Sequence, residues 1–301
     1  MNNSSTTPNL ESTLKSLDTE EPIDIYFYRP IGYRWALLFR RLGVTPNAVT
    51  IAAIFIGAAA GICFYFQNLY INIIGMLLLI WANSYDSADG QLARMTGQSS
   101  PMGRMLDGAC GDVWFFTIYA AICLRLTPDW TIWIWLLGAV TGYCHTKQAA
   151  MADYYRNIHL HFLKGKAGSE LSFSPLLEEK YRQLSWKREF FVKFFEMFYL
   201  NYTKGQEQLT PRFQQMMAII RDKYNGIAPD SFRSAFREKS LPLMKYTNML
   251  SFNLRTIALF TALFLNMPWL YFAFEVTVMN VMLLYMVRTH ERFCAEFAKE
   301  L

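Results

Sequence analysis

The sequence predicts an all-α integral membrane protein: six transmembrane helices, an N-terminal interfacial amphipathic helix before them, and a cytosolic helical insertion before the last two. Three observations carry that expectation. Apolar residues fill 53% of the 301 positions and charged residues only 18%, against roughly 25% in average soluble domains. The apolar residues gather into runs at 48–66, 70–85, 113–124, 130–144, 256–274 and 276–287. The first run has no charge and is long enough for a bilayer core of roughly 30 Å. Lys and Arg are concentrated in alternate links between the runs, the bias that orients a spanning bundle.

Residues 1–28 are polar and acidic, without the apolar stretch beside a positive start that marks a signal peptide. They read as a cytosolic tail. Residues 29–152 read as the interfacial helix plus four spans. Within 31–42, Trp35, Leu38 and Phe39 alternate with Arg34, Arg40 and Arg41, a pattern suited to the headgroup layer. Thr45-Pro46-Asn47 then starts the first span, because proline is accepted in a first helical turn. Gly57 and Gly61 form a GxxxG pattern that allows close helix packing.

Residues 153–245 read as the insertion. They carry sixteen Lys/Arg against ten Asp/Glu, a balance suited to an anionic leaflet. Residues 186–202, WKREFFVKFFEMFYLNY, fit an interfacial helix or a soluble-core helix. TPRFQQMMAIIRDKY (210–224) has a threonine at the N-cap position and proline after it. Residues 246–301 read as the last two spans and a short tail. Arg29, Arg34, Arg40, Arg41, Arg94, Arg104 and the basic insertion all fall on one side, so both termini and the acidic segment below face the cytosol. In a bacterium this would be the inner membrane. The five cysteines show no metal or redox spacing and read as packing residues.

The chemistry lies in DSADGQLARMTGQSSPMGRMLDGACGD, residues 86–112. Asp86 and Asp89 are three apart, so they project from nearly one face of the second span. Asp107 follows on the next helix, after a link whose Gly97, Pro101 and Gly103 permit a turn. Carboxylates are costly in a membrane helix unless they face a polar cavity. All-oxygen ligand sets select hard divalent cations, and two such ions could clamp a phosphate and activate a hydroxyl.

The spacing Asp86-x-x-Asp89-Gly90-x-x-Ala93-Arg94, eight residues, then Gly103-x-x-x-Asp107 resembles the signature of the CDP-alcohol phosphotransferase family. Thr45 to Thr50 resembles the stretch that opens the first span in that family. The resemblance covers roughly residues 31–150 and implies a six-helix membrane fold, commonly a homodimer, with a cytosol-facing site for two Mg²⁺ or Mn²⁺ ions. It implies metal ligation by Asp86, Asp89 and Asp107, with Gly90, Ala93, Arg94, Asn47 and Gly103 binding substrate. The family's fourth carboxylate would fall at 111, where this chain has glycine and the aspartate is Asp112. In a regular helix a step of five turns Asp112 about 140° from Asp107, against about 40° for a step of four. A one-residue π-turn at Gly108 or Gly111 would bring Asp112 back as metal ligand or general base.

His145, Gln148, Ala152, Tyr155 and His159 recur at helical spacing beyond the fourth span, and His145 lies deepest. Asp112, Asp107 and His145 are therefore the expected catalytic residues. The expected reaction moves a substituted phosphate from a CDP-linked donor to a lipid or polyol hydroxyl, releasing CMP. One alternative keeps the fold but transfers a phospholipid headgroup to ceramide, in the manner of inositol phosphorylceramide synthesis, releasing diacylglycerol. Another is a non-catalytic scaffold or transporter. No nucleic acid is expected as a partner.

Overall fold

Helix is the only regular secondary structure among the described residues of the computed structural model: 16–98, 101–165 and 168–301, excepting the side chains of 101, 102, 104 and 105. Residues 1–15 of the expected tail, residues 99–100 of the expected turn and the Arg104 side chain lie outside that set. In chain order the helices are α1 (Arg29–Arg41), α2 (Pro46–Cys63), α3 (Leu69–Thr96), α4 (Pro101–Trp130), α5 (Trp133–Lys164), α6 (Ser174–Gln183), α7 (Phe190–Gln208), α8 (Pro211–Tyr224), α9 (Asp230–Met249), α10 (Phe252–Phe264) and α11 (Trp269–Glu300). Residues Glu275–Met279 within α11, and Asp24–Tyr28 before α1, are π-helical.

Among the described residues, four helices are long and apolar enough to cross a bilayer: α2, α3, the Leu106–Trp130 part of α4, and α11. The expected set of six differs in two places. Trp130 ends α4, and residues 133–144 of the run become the start of α5, where polar residues take over at His145, Lys147 and Gln148 after about three turns. The expected spans 256–274 and 276–287 divide elsewhere. α10 stops at Phe264, Asn266 adopts a left-handed φ of 52°, and Pro268 precedes α11. Residues 269–274 and 276–287 thus belong to one helix. The 13 residues of α10 measure about 20 Å, short of the hydrocarbon core.

The chain forms two compact units, Met1–Cys144 with Asn253–Val276, and His145–Phe252 with Thr277–Leu301. In the first, Thr45 caps α2 by accepting from the Ala48 amide, with Pro46 in the first turn. Asn68 caps α3 through the Tyr70 and Ile71 amides, and Gly97 ends it in the left-handed conformation. α3 packs against both α1 and α2, and α2 also packs on α4. Gly57 and Gly61 allow the second contact: a Cβ at 57 would lie 2.2 Å from the Trp114 indole nitrogen, and one at 61 would lie 2.5 Å from Thr117 Oγ1. The same indole donates to the Ala53 carbonyl at 3.0 Å. At the other end of α4, buried Arg125 donates to the Phe64 carbonyl and to Asn266 Oδ1, fixing two loops. Arg255 of α10 pairs with Glu275, both fully buried.

The second unit is built on rings. Phe213 of α8, Phe236 of α9, Phe293 of α11 and Tyr155 of α5 surround His290, while Phe297 of α11 packs on Phe236 and Tyr154 of α5 on Phe213. Thr210 sits at the N-cap position of α8 without capping it. Glu291 of α11 instead accepts the Arg212 and Phe213 amides at 2.6 and 3.2 Å, satisfying the orphan donors of the first turn. α6 and α7 form a hairpin in which Glu207 accepts the Ser174 amide and Lys180 pairs with Glu196. The second half of α7 is anchored: Leu200, Thr203 and Gln206 are buried, and Gln206 donates to the Ala150 carbonyl. Its first half is not, since Phe190, Phe191, Phe194, Phe195, Phe198 and Tyr199 are all exposed.

The glycine contact on α2 gives a direct check. Gly57→Ala should cost about 1–3 kcal/mol by overpacking against Trp114. Gly108→Ala, where a Cβ meets nothing within 4 Å, should be neutral or stabilising by up to about 1 kcal/mol. Melting temperatures of the two purified variants in detergent decide it.

Candidate metal centre

Asp86 and Asp89 leave α3 three residues apart, and Asp107 lies near the start of α4. Each offers a carboxylate oxygen, and the three oxygens lie within 4.8 Å of one another. Asp89 is buried, Asp86 half-buried and Asp107 exposed, so the group opens to solvent on the α4 side. The buried member has a built-in partner: the Thr50 hydroxyl of α2 lies 2.5 Å from Asp89 Oδ2, and 3.1 Å from the Pro46 carbonyl. Cys110, one turn beyond Asp107, is buried and hydrogen-bonds to Asp86. Both were missed by sequence reasoning. Thr50 is the one hydroxyl in the otherwise apolar segment 48–63, which is the signal that could have found it.

The donor set suits a hard cation. Opposite ligands of an octahedral Mg²⁺ stand about 4.2 Å apart, and those of Ca²⁺ about 4.6–5.2 Å. Oxygens within 4.8 Å can therefore share one ion. Without a cation, three carboxylates this close at the ends of apolar helices repel one another and are poorly hydrated.

The other expected residues fall as follows. Gly90 and Ala93 are half-buried on α3, and the Arg94 guanidinium folds back over Gly90, where a Cβ would be 3.5 Å from both of its terminal nitrogens. Asn47 is in the first turn of α2, and Gly103 is one turn before Asp107. Asp112 is exposed and does not join the carboxylate group among the described residues. The expected π-turn is not formed: α4 is α-helical throughout Pro101–Trp130, so the five-residue step carries Asp112 round the helix. His145 belongs to the second unit and is buried there. The face it begins is packing: Gln148 donates to Asn280 Oδ1, His159 Nδ1 meets Ser240 Oγ at 2.7 Å, and Tyr155 lies on the His290 ring.

The first unit thus carries three clustered carboxylates on helices long and apolar enough to cross a membrane, the class of an integral membrane protein with a candidate cation site. Residues 43–169 match the family model described as CDP-alcohol phosphatidyltransferase. The chain is 27% identical to Cholinephosphotransferase 1 of Mus musculus over 149 residues, 46% of this chain and 36% of that protein. It is 33% identical to Archaetidylinositol phosphate synthase of Pyrococcus horikoshii over 99 residues, 33% of this chain and 51% of the relative. Bifunctional IPC transferase and DIPP synthase of Aquifex aeolicus is 26% identical over 98 residues, 33% of this chain and 22% of the relative. The chain thus spans about a third of the length of the cholinephosphotransferases it matches.

Thr50→Val keeps the shape of the side chain and removes the hydroxyl held to Asp89. Loss of such a partner costs about 10–100-fold in metal affinity. Mn²⁺ titration should read at least the lower figure, and an unchanged affinity would remove Thr50 from the site.

Proposed function

We propose that this protein transfers a substituted phosphate from a CDP-linked alcohol to the hydroxyl of a lipid acceptor, releasing CMP, at the cytosolic end of its membrane helices. The observation that carries the proposal is the convergence of Asp86, Asp89 and Asp107 within the family-matched segment. The three carboxylates would hold a divalent cation such as Mg²⁺ or Mn²⁺, which would supply charge neutralisation and Lewis acidity toward the diphosphate. Gly90 and Ala93 leave the α3 surface low enough for the cytidine to lie against it. Arg94 donates forked hydrogen bonds to phosphate. Asp107, the most exposed of the three, accepts the hydroxyl proton as the acceptor oxygen bonds to phosphorus and the bond to CMP breaks. The arginines Arg29, Arg34, Arg40 and Arg41 support cytosolic placement.

The exposed aromatic half of α7 supports a second membrane contact. Phe191 is 72% and Phe198 55% exposed, and a contiguous apolar face of this kind marks an interaction surface. Lys187 and Arg188 are exposed beside it, and Lys193 lies over the Tyr181 ring. Aromatic rings flanked by cations match the interface of an anionic bilayer, and the spans of this chain place a bilayer at hand.

Two measurements test these readings. Purified protein given a CDP-linked alcohol, a lipid acceptor and Mn²⁺ should release CMP, and Asp89→Asn should lower the rate by at least about 100-fold, since even an outer partner of a metal ligand is worth 10–100-fold. Diacylglycerol without CMP would select a phospholipid donor instead. With Phe191 replaced by photoreactive p-benzoylphenylalanine in phosphatidylglycerol-containing vesicles, illumination should add the mass of one phospholipid. A product containing only a second protein chain would reassign the α7 face to self-association.

A further inference from the structure

Arg29 opens α1, and its guanidinium forks onto Glu20: Nε donates to Oε2 and Nη2 to Oε1, both at 2.9 Å. The pair is largely withdrawn from solvent, with the Glu20 side chain 5% and the Arg29 side chain 22% exposed. Its place in the fold sets it beside the metal centre. The Arg29 carbonyl accepts from Gln91 Nε2 at 3.1 Å. Gly32, one turn on, lies so close to α3 that a Cβ there would be 2.8 Å from Ser87 Oγ. Residues 87 and 91 bracket Asp89 and Gly90 on α3, so the start of α1 is pinned to the turn that carries them. The charge of Arg29 acts on both Asp86 and Arg94, and that of Glu20 acts on Arg94.

Two guanidinium groups therefore share one neighbourhood, Arg94 over Gly90 and Arg29 on α1. Like charges held together call for an anion. Glu20 supplies it now, in the bidentate geometry that guanidinium also uses for phosphate. A simple staple for the N-terminal segment is already present without this pair: Asn253 donates to Glu21 Oε2 and Asp24 Oδ1, both at 3.0 Å, and Tyr28 hydrogen-bonds to Asn83.

We propose that Arg29 is a second phosphate-binding residue of the donor site and that Glu20 occupies it until the diphosphate of the donor displaces the carboxylate. The inference rests on the CDP-linked donor proposed above. Glu20 then acts as an internal competitor: it keeps the fork oriented, weakens donor binding, and makes no contact with the donor itself.

Calorimetric titration of CDP with Mn²⁺ into the purified full-length protein tests it. Glu20→Gln should bind CDP several-fold more tightly. Arg29→Lys, which keeps the charge and loses the fork, should bind about tenfold more weakly. In an Arg29→Gln background the gain from Glu20→Gln should vanish. If wild type binds CDP in an Asp89-dependent manner but Glu20→Gln binds no more tightly and only melts lower, the pair is a staple and this inference alone fails. If wild type binds no CDP at all, the donor reading fails and takes this inference with it.

Discussion

Like charges that gather at the ends of apolar helices repel one another, and the repulsion has to be offset by a cation or a proton. Asp86, Asp89 and Asp107 keep their oxygens within 4.8 Å, and the rest of the first unit is arranged around that convergence. Water is scarce beside buried Asp89, so its carboxylate is served by a hydroxyl from the neighbouring helix. The side at Asp107 is the exposed one, and in the proposed reaction an ion and a phosphate would approach from there. A site of this sort stores electrostatic cost in the free protein and releases it on binding a cation.

That arrangement depends on how closely the backbones approach. Thr50 reaches Asp89 only because α2 lies against α3, and α2 in turn lies against α4 through Gly57 and Gly61. The small residues and the polar partner lie on one helix, so α2 sets the spacing and supplies the hydrogen bond. Arg125, eighteen residues beyond Asp107 and so about 27 Å along α4, ties the loops at the far end. The acidic end is thus left to be shaped by charge while the other end is fixed by neutral acceptors.

Much of this was legible from residue order. Thr45-Pro46 announced the start of α2, the Gly57/Gly61 pair announced its contact face, and the Asp86/Asp89/Asp107 spacing announced the convergence of three carboxylates. Each is a local pattern with a local cause. What was not legible depends on partners distant in sequence. Whether α4 would bend to recover Asp112 could not be read from its two glycines, because permission for a π-turn is not a force that makes one. The break at 265–268 was written in Asn266 and Pro268, yet the apolar run across it concealed the stop. Thr210 looked like a cap, but a carboxylate 81 positions later in the chain took the α8 amides. The ring-rich stretch at 186–202 was compatible with a core until its first half proved exposed.

The displaced Asp112 bears on how the proposed reaction would be ordered. A hard cation takes six or more oxygens, and the described carboxylate group offers three residues. The missing ligands must come from water or from the donor, whose diphosphate carries oxygens in the right number and charge. In that reading, metal and donor would each raise the other's affinity, since each completes the other's shell. The guanidinium groups at positions 29 and 94 would push the same way, since the diphosphate offers them more anionic oxygens than the Glu20 carboxylate does. A chain that kept a fourth carboxylate on the inner face of α4 would hold its ions more tightly in the absence of donor. This chain, with that carboxylate turned aside, would couple the two binding steps more strongly.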